Sequence, residues 1–198
     1  MNIEKALENA KRIHFIGIGG SGMCPLAEIL HEKGYYLTGS DNNETDTLKR
    51  IRNLGIPVTL GQKAENVDGA DMVVFTAALL PDNPELVAAR VKGIPTFERS
   101  KLFGAVTRKY SNCVGVCGTH GKTTTTSMVT HIFMNAQADP TVMIGGTLPL
   151  LKAGHRVGNG DTIIMESCEY YNSFHSFSPT IAVILNVDAD HLDYFGSL

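Results

Sequence analysis

The sequence predicts two consecutive α/β units, each a parallel β-sheet covered by helices, and three observations carry that prediction. Short apolar runs alternate with helix-like segments from residue 12 onward, the pattern of strands joined by crossover helices. Two glycine-rich turns, beginning at Gly17 and Gly118, each follow a strand-like run and open a helix-like one. A short polar stretch, residues 108–112, separates the two series, so the boundary is placed between 1–107 and 108–198.

In the first unit, residues 12–16, 35–39, 57–60, 72–76 and 94–97 read as strands. Residues 22–33, 44–54, 83–91 and 99–106 read as helices, with Ser40, Asp41 and Asp82 among the caps and turn formers. The second unit opens on a strand at 113–117 and a helix at 122–136. Further strands follow at 141–144, 162–166 and 181–187, with a glycine-rich turn at 154–161. The sequence stops eleven residues after the last of these strands, directly after NVDADHLDYFGSL, which leaves no room for a covering helix. A fragment of a longer protein is therefore expected, with little or no turnover of its own.

With 198 residues, 43% apolar and 19% charged, the chain has material for one large core or two of about 100 residues each. Its formal charge of −3 gives no electrostatic reason for a nucleic-acid or anionic-membrane partner, so an anionic ligand must be held locally. Residues 1–15 lack the apolar core of a secretory signal and no apolar run approaches the roughly 18 residues of a membrane span, so a cytoplasmic location is expected. Cys24, Cys113, Cys117 and Cys168 are too few and too scattered for a disulfide framework, and Cys113 and Cys117 read as buried strand residues rather than half a metal site.

The first glycine turn, Gly17-Ile18-Gly19-Gly20-Ser21-Gly22, fits GxGxxG, whose missing side chains let backbone N–H groups and a helix N-terminus approach a diphosphate. Asp41, at the end of the second strand, is an acceptor for a ribose or base. Alone, this pattern is that of a Rossmann-like nucleotide site and leaves NAD open.

The second turn, Gly118-Thr119-His120-Gly121-Lys122-Thr123, is a P-loop-type sequence that departs from GxxxxGK[ST] in the position of its first glycine. Its amides would cradle a phosphate, Lys122 would neutralise phosphate charge and the Thr123 hydroxyl would ligate Mg²⁺. Glu166 and Glu169 follow one strand of this unit, and Asp188, Asp190 and His191 follow the next. In an open parallel sheet such strand ends share one edge, where carboxylate and imidazole groups suit Mg²⁺ or Mn²⁺. His155 and Arg156, in the glycine-rich turn, are weaker candidates for substrate contact, and a solvated loop accounts for them.

Taken together, IHFIGIGGSGMCPLAEIL at 13–30, GSD at 39–41, VVFTAAL at 73–79, GTHGKTTTT at 118–126, ESCEYYNSF at 166–174 and NVDADHLDYF at 186–195 resemble the Mur ligases, and most closely their alanine-adding members. The resemblance covers nearly the whole chain. It implies a UDP-sugar-binding Rossmann-like unit followed by an incomplete P-loop-type ATP-binding unit, and it argues against NAD. By the same resemblance, Gly19, Gly20, Ser21, Gly22 and Met23 would contact the diphosphate, and Asp41 and Thr76 the UDP end. Gly118, Thr119, His120, Gly121, Lys122, Thr123 and Thr124 would hold the ATP phosphates, while Thr123 would bind one Mg²⁺ and Glu166 with His191 a second. The implied reaction transfers the ATP γ-phosphoryl group to the carboxylate of UDP-N-acetylmuramate, after which the amine of L-alanine displaces phosphate, in cell-wall precursor synthesis. Two other readings are a murein peptide ligase, against which GIGGSGM at 17–23 weighs, and a UDP-sugar-binding module without turnover. The Ser167-Cys168-Glu169 run and AGHRVGNG at 153–160 depart from the family pattern, which leaves Glu169, His155 and Arg156 without an assigned role.

Overall fold

The architecture comes from a computed structural model of the chain, which describes residues 2–168, 170–189 and 194. The chain divides into two compact units, Met1–Leu102 and Phe103–Leu198. No helix among the described residues is long and apolar enough to cross a membrane.

The first unit opens with α1 (Ile3–Asn9), a helix the sequence reading did not anticipate, whose N-cap Asn2 accepts from the Glu4 N–H at 2.9 Å. There follow β1 (Arg12–Ile16), α2 (Met23–Glu32), β2 (Tyr36–Asp41), α3 (Asp46–Asn53), β3 (Val58–Leu60), a 3-10 turn (Ala64–Val67), β4 (Met72–Phe75), α4 (Pro84–Val91), β5 (Thr96–Glu98) and α5 (Arg99–Thr107), whose residues from Phe103 onward belong to the second unit. The sheet has the order β3-β2-β1-β4-β5, and all four pairings are parallel. Central β1 is covered on both faces, which is why Ile13, Phe15 and Ile16 are all fully buried and the strand reads as an apolar run rather than an alternation. On one side Ile16 and Val73 pack with Leu86 and Ala89 of α4 and with Val67 and Ala70. Most of α2 is buried too, and each Leu or Ile it removes from water is worth about 1.5–3 kcal/mol.

Helix ends follow local chemistry. Thr45 caps α3 through the Leu48 N–H, and Asn83 caps α4 through the Glu85 and Leu86 N–H groups, with Pro84 at the first helical position. The residues expected as caps and turn formers cap no helix here, although Asp41 forms a turn by accepting from the Asn43 N–H and Asp82 lies in the turn before α4. Ser40 is instead a fully buried β2 residue, Asp41 ends that strand, and Asp82 lies one position before the true cap. Gly34, Gly55 and Gly93 close α2, α3 and α4 in the left-handed region.

The second unit contains β6 (Asn112–Cys117), α6 (Lys122–Asn135), β7 (Thr141–Leu148), β8 (Ala153–Arg156), β9 (Thr162–Glu166), a 3-10 helix (Tyr170–Ser176) and β10 (Ile181–Ile184), with sheet order β10-β6-β9-β7-β8. Every pairing is parallel except β7 with β8. Residues 153–156 are therefore a strand, not the loop the sequence suggested. Arg156 on β8 ion-pairs with Asp139 and donates to the Pro140 carbonyl, so it ties the hairpin to the end of α6. Val114, Val142 and Ile164 form the core beneath Val129 and Phe133 of α6. Cys113 is buried in β6, where burial pushes its thiol up to about 11. It is a small apolar core residue, not a ligand or nucleophile.

Candidate functional site

The first glycine turn occupies the C-terminal edge of the first sheet, between β1 and α2. The Gly17 and Ile18 N–H groups donate to the Ser40 carbonyl, Gly20 N–H to the Gly17 carbonyl, and Met23 and Cys24 N–H to the Gly20 carbonyl. Asp41 closes the turn: one carboxylate oxygen accepts from the Gly19 N–H at 3.0 Å and the other from the Asn43 N–H at 3.2 Å. A Cβ on Gly19 would lie 2.9 Å from that Asp41 oxygen and 2.9 Å from Leu48, so the turn closes because residue 19 has none. Thr76, just past β4, sits beside Gly17, and its hydroxyl accepts from the Ala78 N–H. The structure thus brings Gly17, Gly19, Asp41 and Thr76 to one place. Met23 is buried as the first residue of α2.

The second turn lies between β6 and α6. α6 begins at Lys122 with Gly121 in the left-handed region at φ 86° and no side chain capping it, and α2 likewise lacks a side-chain cap, whereas α1, α3 and α4 have one. Among the described residues no acceptor engages the N–H groups of Gly121, Thr123 and Thr124, the orphan donors of a helix start. They form an anion cradle at the positive end of a 14-residue helix. The Lys122 ammonium folds over the turn and donates to the Gly118 carbonyl at 2.5 Å and the Thr119 carbonyl at 3.2 Å.

The chain after β10 brackets this turn. Asn186 donates its side-chain N–H to the His120 carbonyl at 2.9 Å and accepts the His120 N–H at 2.9 Å, and its own carbonyl accepts the Thr119 N–H at 3.3 Å. The Thr119 hydroxyl accepts from the Asp188 N–H at 2.9 Å and donates to the Asp188 carbonyl at 3.3 Å. Such an approach needs residue 118 to be glycine: its φ is 135°, and a Cβ there would meet Asn186 backbone atoms at 3.1 Å. Sequence reasoning gave no role to Asn186, although it opens the NVDADH segment.

On the other side of β6, Glu166 ends β9, in register with Val116. Its carboxylate accepts the Gly145 N–H at 2.8 Å. A Cβ on Gly145 would lie 2.8 Å from the second carboxylate oxygen, and one on Gly146 would lie 3.3 Å from the Thr123 Cγ2. Glu166 and Thr123 therefore flank one glycine pair, located where the β7–β8 register is interrupted. The Glu166 carboxylate and the Thr123 side chain, whose methyl group is its atom nearest Gly146, border a space that side chains at 145 and 146 would fill, and a carboxylate and a hydroxyl are hard-oxygen donors of the kind that suit Mg²⁺ or Mn²⁺. Sequence reasoning missed the glycine pair, whose signal was two adjacent glycines inside an otherwise apolar strand. The third expected ligand, His191, lies outside the described residues, as do Glu169 and Asp190. His155 on β8 and exposed Cys168 stand apart from these contacts.

Comparison with known proteins agrees with this layout. Residues 12–111 match the family model described as the Mur ligase family, catalytic domain, and residues 116–198 match the Mur ligase middle domain. A UDP-N-acetylmuramate–L-alanine ligase of Agathobacter rectalis is 50% identical over 184 residues, which cover 92% of this chain and 40% of that protein. A Clostridium botulinum (strain Okra) ligase of the same name is 44% identical over the full 198 residues, 43% of its own length. The crystal structure of UDP-N-acetylmuramate-alanine ligase from Thermotoga maritima superposes with a TM-score of 0.84 at 37% identity, over 93% of this chain and 43% of that one. A Neisseria ligase that acts on UDP-N-acetylmuramate and L-alanyl-γ-D-glutamyl-meso-diaminopimelate, by its name, gives 0.83 at 28% identity, over 93% of this chain and 63% of that one. The chain spans about two fifths of the curated relatives it matches. Two glycine turns, each after a strand of a parallel or largely parallel sheet and matched in order by both family models, place the chain in the Mur ligase family.

Proposed function

We propose that this chain supplies the UDP-sugar-binding and ATP-binding parts of a ligase that joins L-alanine to the carboxylate of UDP-N-acetylmuramate in peptidoglycan precursor synthesis. The observation that carries the reading is the Lys122 turn, with Glu166 ending the strand on one side of it and Asn186 bracketing it from the other. The names of the most similar relatives support the substrates. On this reading, residues 1–107 bind the UDP sugar through 19–23, Asp41 and Thr76, and residues 108–198 bind ATP through 118–124.

The chemical problem is repulsion, because a carboxylate must approach a triphosphate. The amides at the start of α6 would hold the phosphates, and the Lys122 ammonium, which donates to the carbonyls of its own turn, would exchange them for a γ-phosphate. Thr123 would hold one divalent cation and Glu166 with His191 a second, and when bound these supply charge neutralisation for in-line transfer. The sugar carboxylate forms a bond to the γ-phosphorus as the bond to ADP breaks. The L-alanine amine then adds to the carbonyl carbon of the acyl phosphate, and inorganic phosphate leaves as the amine loses its proton.

A second reading, addition of a tripeptide instead of alanine, is favoured by the nearly equal structural likeness to the Neisseria ligase. Phosphate release by the intact enzyme containing this sequence, supplied with ATP and UDP-N-acetylmuramate, tests both. Release that depends on L-alanine is expected. Release with the tripeptide alone would move the assignment to the second reading, and release with neither would end both.

A further inference from the structure

We infer that Arg99 binds the diphosphate of the nucleotide sugar at the first glycine turn. The inference rests on the reading of the first unit as a UDP-sugar site and adds to it the cation that the turn lacks.

The third glycine of a GxGxxG turn is usually explained by close packing of helix on strand. Gly22 has a different neighbour. A Cβ built on it would lie 2.7 Å from the Arg99 Nη1, 3.0 Å from Cζ and 3.2 Å from Nε, so the guanidinium lies directly over the Gly22 Cα. Conformation does not demand glycine here, since φ is −94° and ψ −13°, values open to any residue. The space is kept for Arg99.

That guanidinium is half-buried, and among the described residues it has no hydrogen-bond or ion-pair partner. The adjacent carboxylate does not engage it, because Glu98 turns instead to the Ser100 N–H and hydroxyl. Arg50 of α3, the cation that does reach α2 through an ion pair, is committed to Glu28 at 2.9 Å. A planar fork of five N–H donors is thus held against the turn with no acceptor among the described residues.

The turn's own amides complete the site. Those of Gly17, Ile18, Gly19, Gly20, Met23 and Cys24 are consumed internally by Ser40, Asp41, Gly17 and Gly20. Ser21 and Gly22 N–H groups have no acceptor among the described residues, and they lie at the N-terminus of α2, with Gly22 directly beneath the guanidinium. Two amides, a helix N-terminus and a bidentate cation converge on one anion, and a diphosphate presents paired oxygens to match.

The test uses the intact enzyme and titration calorimetry with UDP-N-acetylmuramate, UDP and uridine. Arg99→Gln keeps the shape without the charge, and it is expected to weaken UDP and UDP-N-acetylmuramate about ten- to hundredfold while leaving uridine unchanged. Arg99→Lys should recover part of the loss. Gly22→Ala, which pushes the guanidinium away without removing it, should reproduce the Gln result and guards against misfolding of the first variant. UDP affinity unchanged in both Arg99→Gln and Gly22→Ala would overturn the assignment of Arg99. A wild-type enzyme that binds neither UDP nor the nucleotide sugar would overturn the underlying reading as well, so the two failures are distinguishable.

Discussion

Glu85, on α4, is fully buried, and its neighbours keep it charged. Burial by itself pushes a carboxyl up, but the His14 imidazole 3.5 Å away, the Ser40 hydroxyl at 2.6 Å and the Asn66 amide outweigh it and hold Glu85 below the usual glutamate range. A carboxyl depressed in the folded state contributes stability above its unfolded pKa and loses it as pH falls through the folded value. Urea unfolding between pH about 5 and 3 should therefore show a steeper loss for the wild type than for Glu85→Gln. Superimposable pH profiles would mean that the cluster does not store this stability. Asn186 gives a second prediction at this scale. Removing its two-point hold on His120 in Asn186→Ala should raise the KM for ATP about tenfold with a smaller change in kcat, and an unchanged KM would show that the bracket is incidental. Neither contact can be read from sequence. The Glu85 partners lie 19 to 71 positions away and Asn186 lies 66 from His120, whereas the glycine turns are legible because their spacing is local.

Among elements, the strands and helices that the sequence predicted are those with long apolar runs bounded by glycine or a capping residue. β1 and β9 have the predicted bounds, and α6 ends one residue short of its prediction. β8 was read as a turn because Ala153–Arg156 has no apolar alternation and is held only by antiparallel pairing with β7, a partner that periodicity does not reveal. The same hairpin contains the least expected part of the site. Its interrupted register puts Gly145 and Gly146 against Glu166 and Thr123. Gly145→Ala should displace the Glu166 carboxylate, lower kcat about tenfold or more and leave ATP affinity within about threefold, read by steady-state kinetics beside nucleotide titration. Equal effects on kcat and ATP affinity would mean that the glycine pair shapes the whole turn rather than the position of Glu166.

At the scale of the molecule, largely parallel sheets could be predicted because helices intervene between most strands of the first unit and between β6 and β7 of the second, yet the orders β3-β2-β1-β4-β5 and β10-β6-β9-β7-β8 are not written locally. They follow from which crossovers bury the apolar faces. What the orders do is set Gly118–Lys122, which follows β6, between the ends of the two strands that flank β6, β9 and β10, in a unit with its own core, while the Gly17 turn belongs to another unit with another core. Division of labour between the units is the central claim. The most direct measurement is Lys122→Ala in the intact enzyme, with alanine-dependent phosphate release and UDP-N-acetylmuramate affinity determined on the same preparation. The account predicts that turnover falls by roughly a hundredfold or more while the nucleotide-sugar affinity stays within about twofold. A parallel loss of both would contradict it.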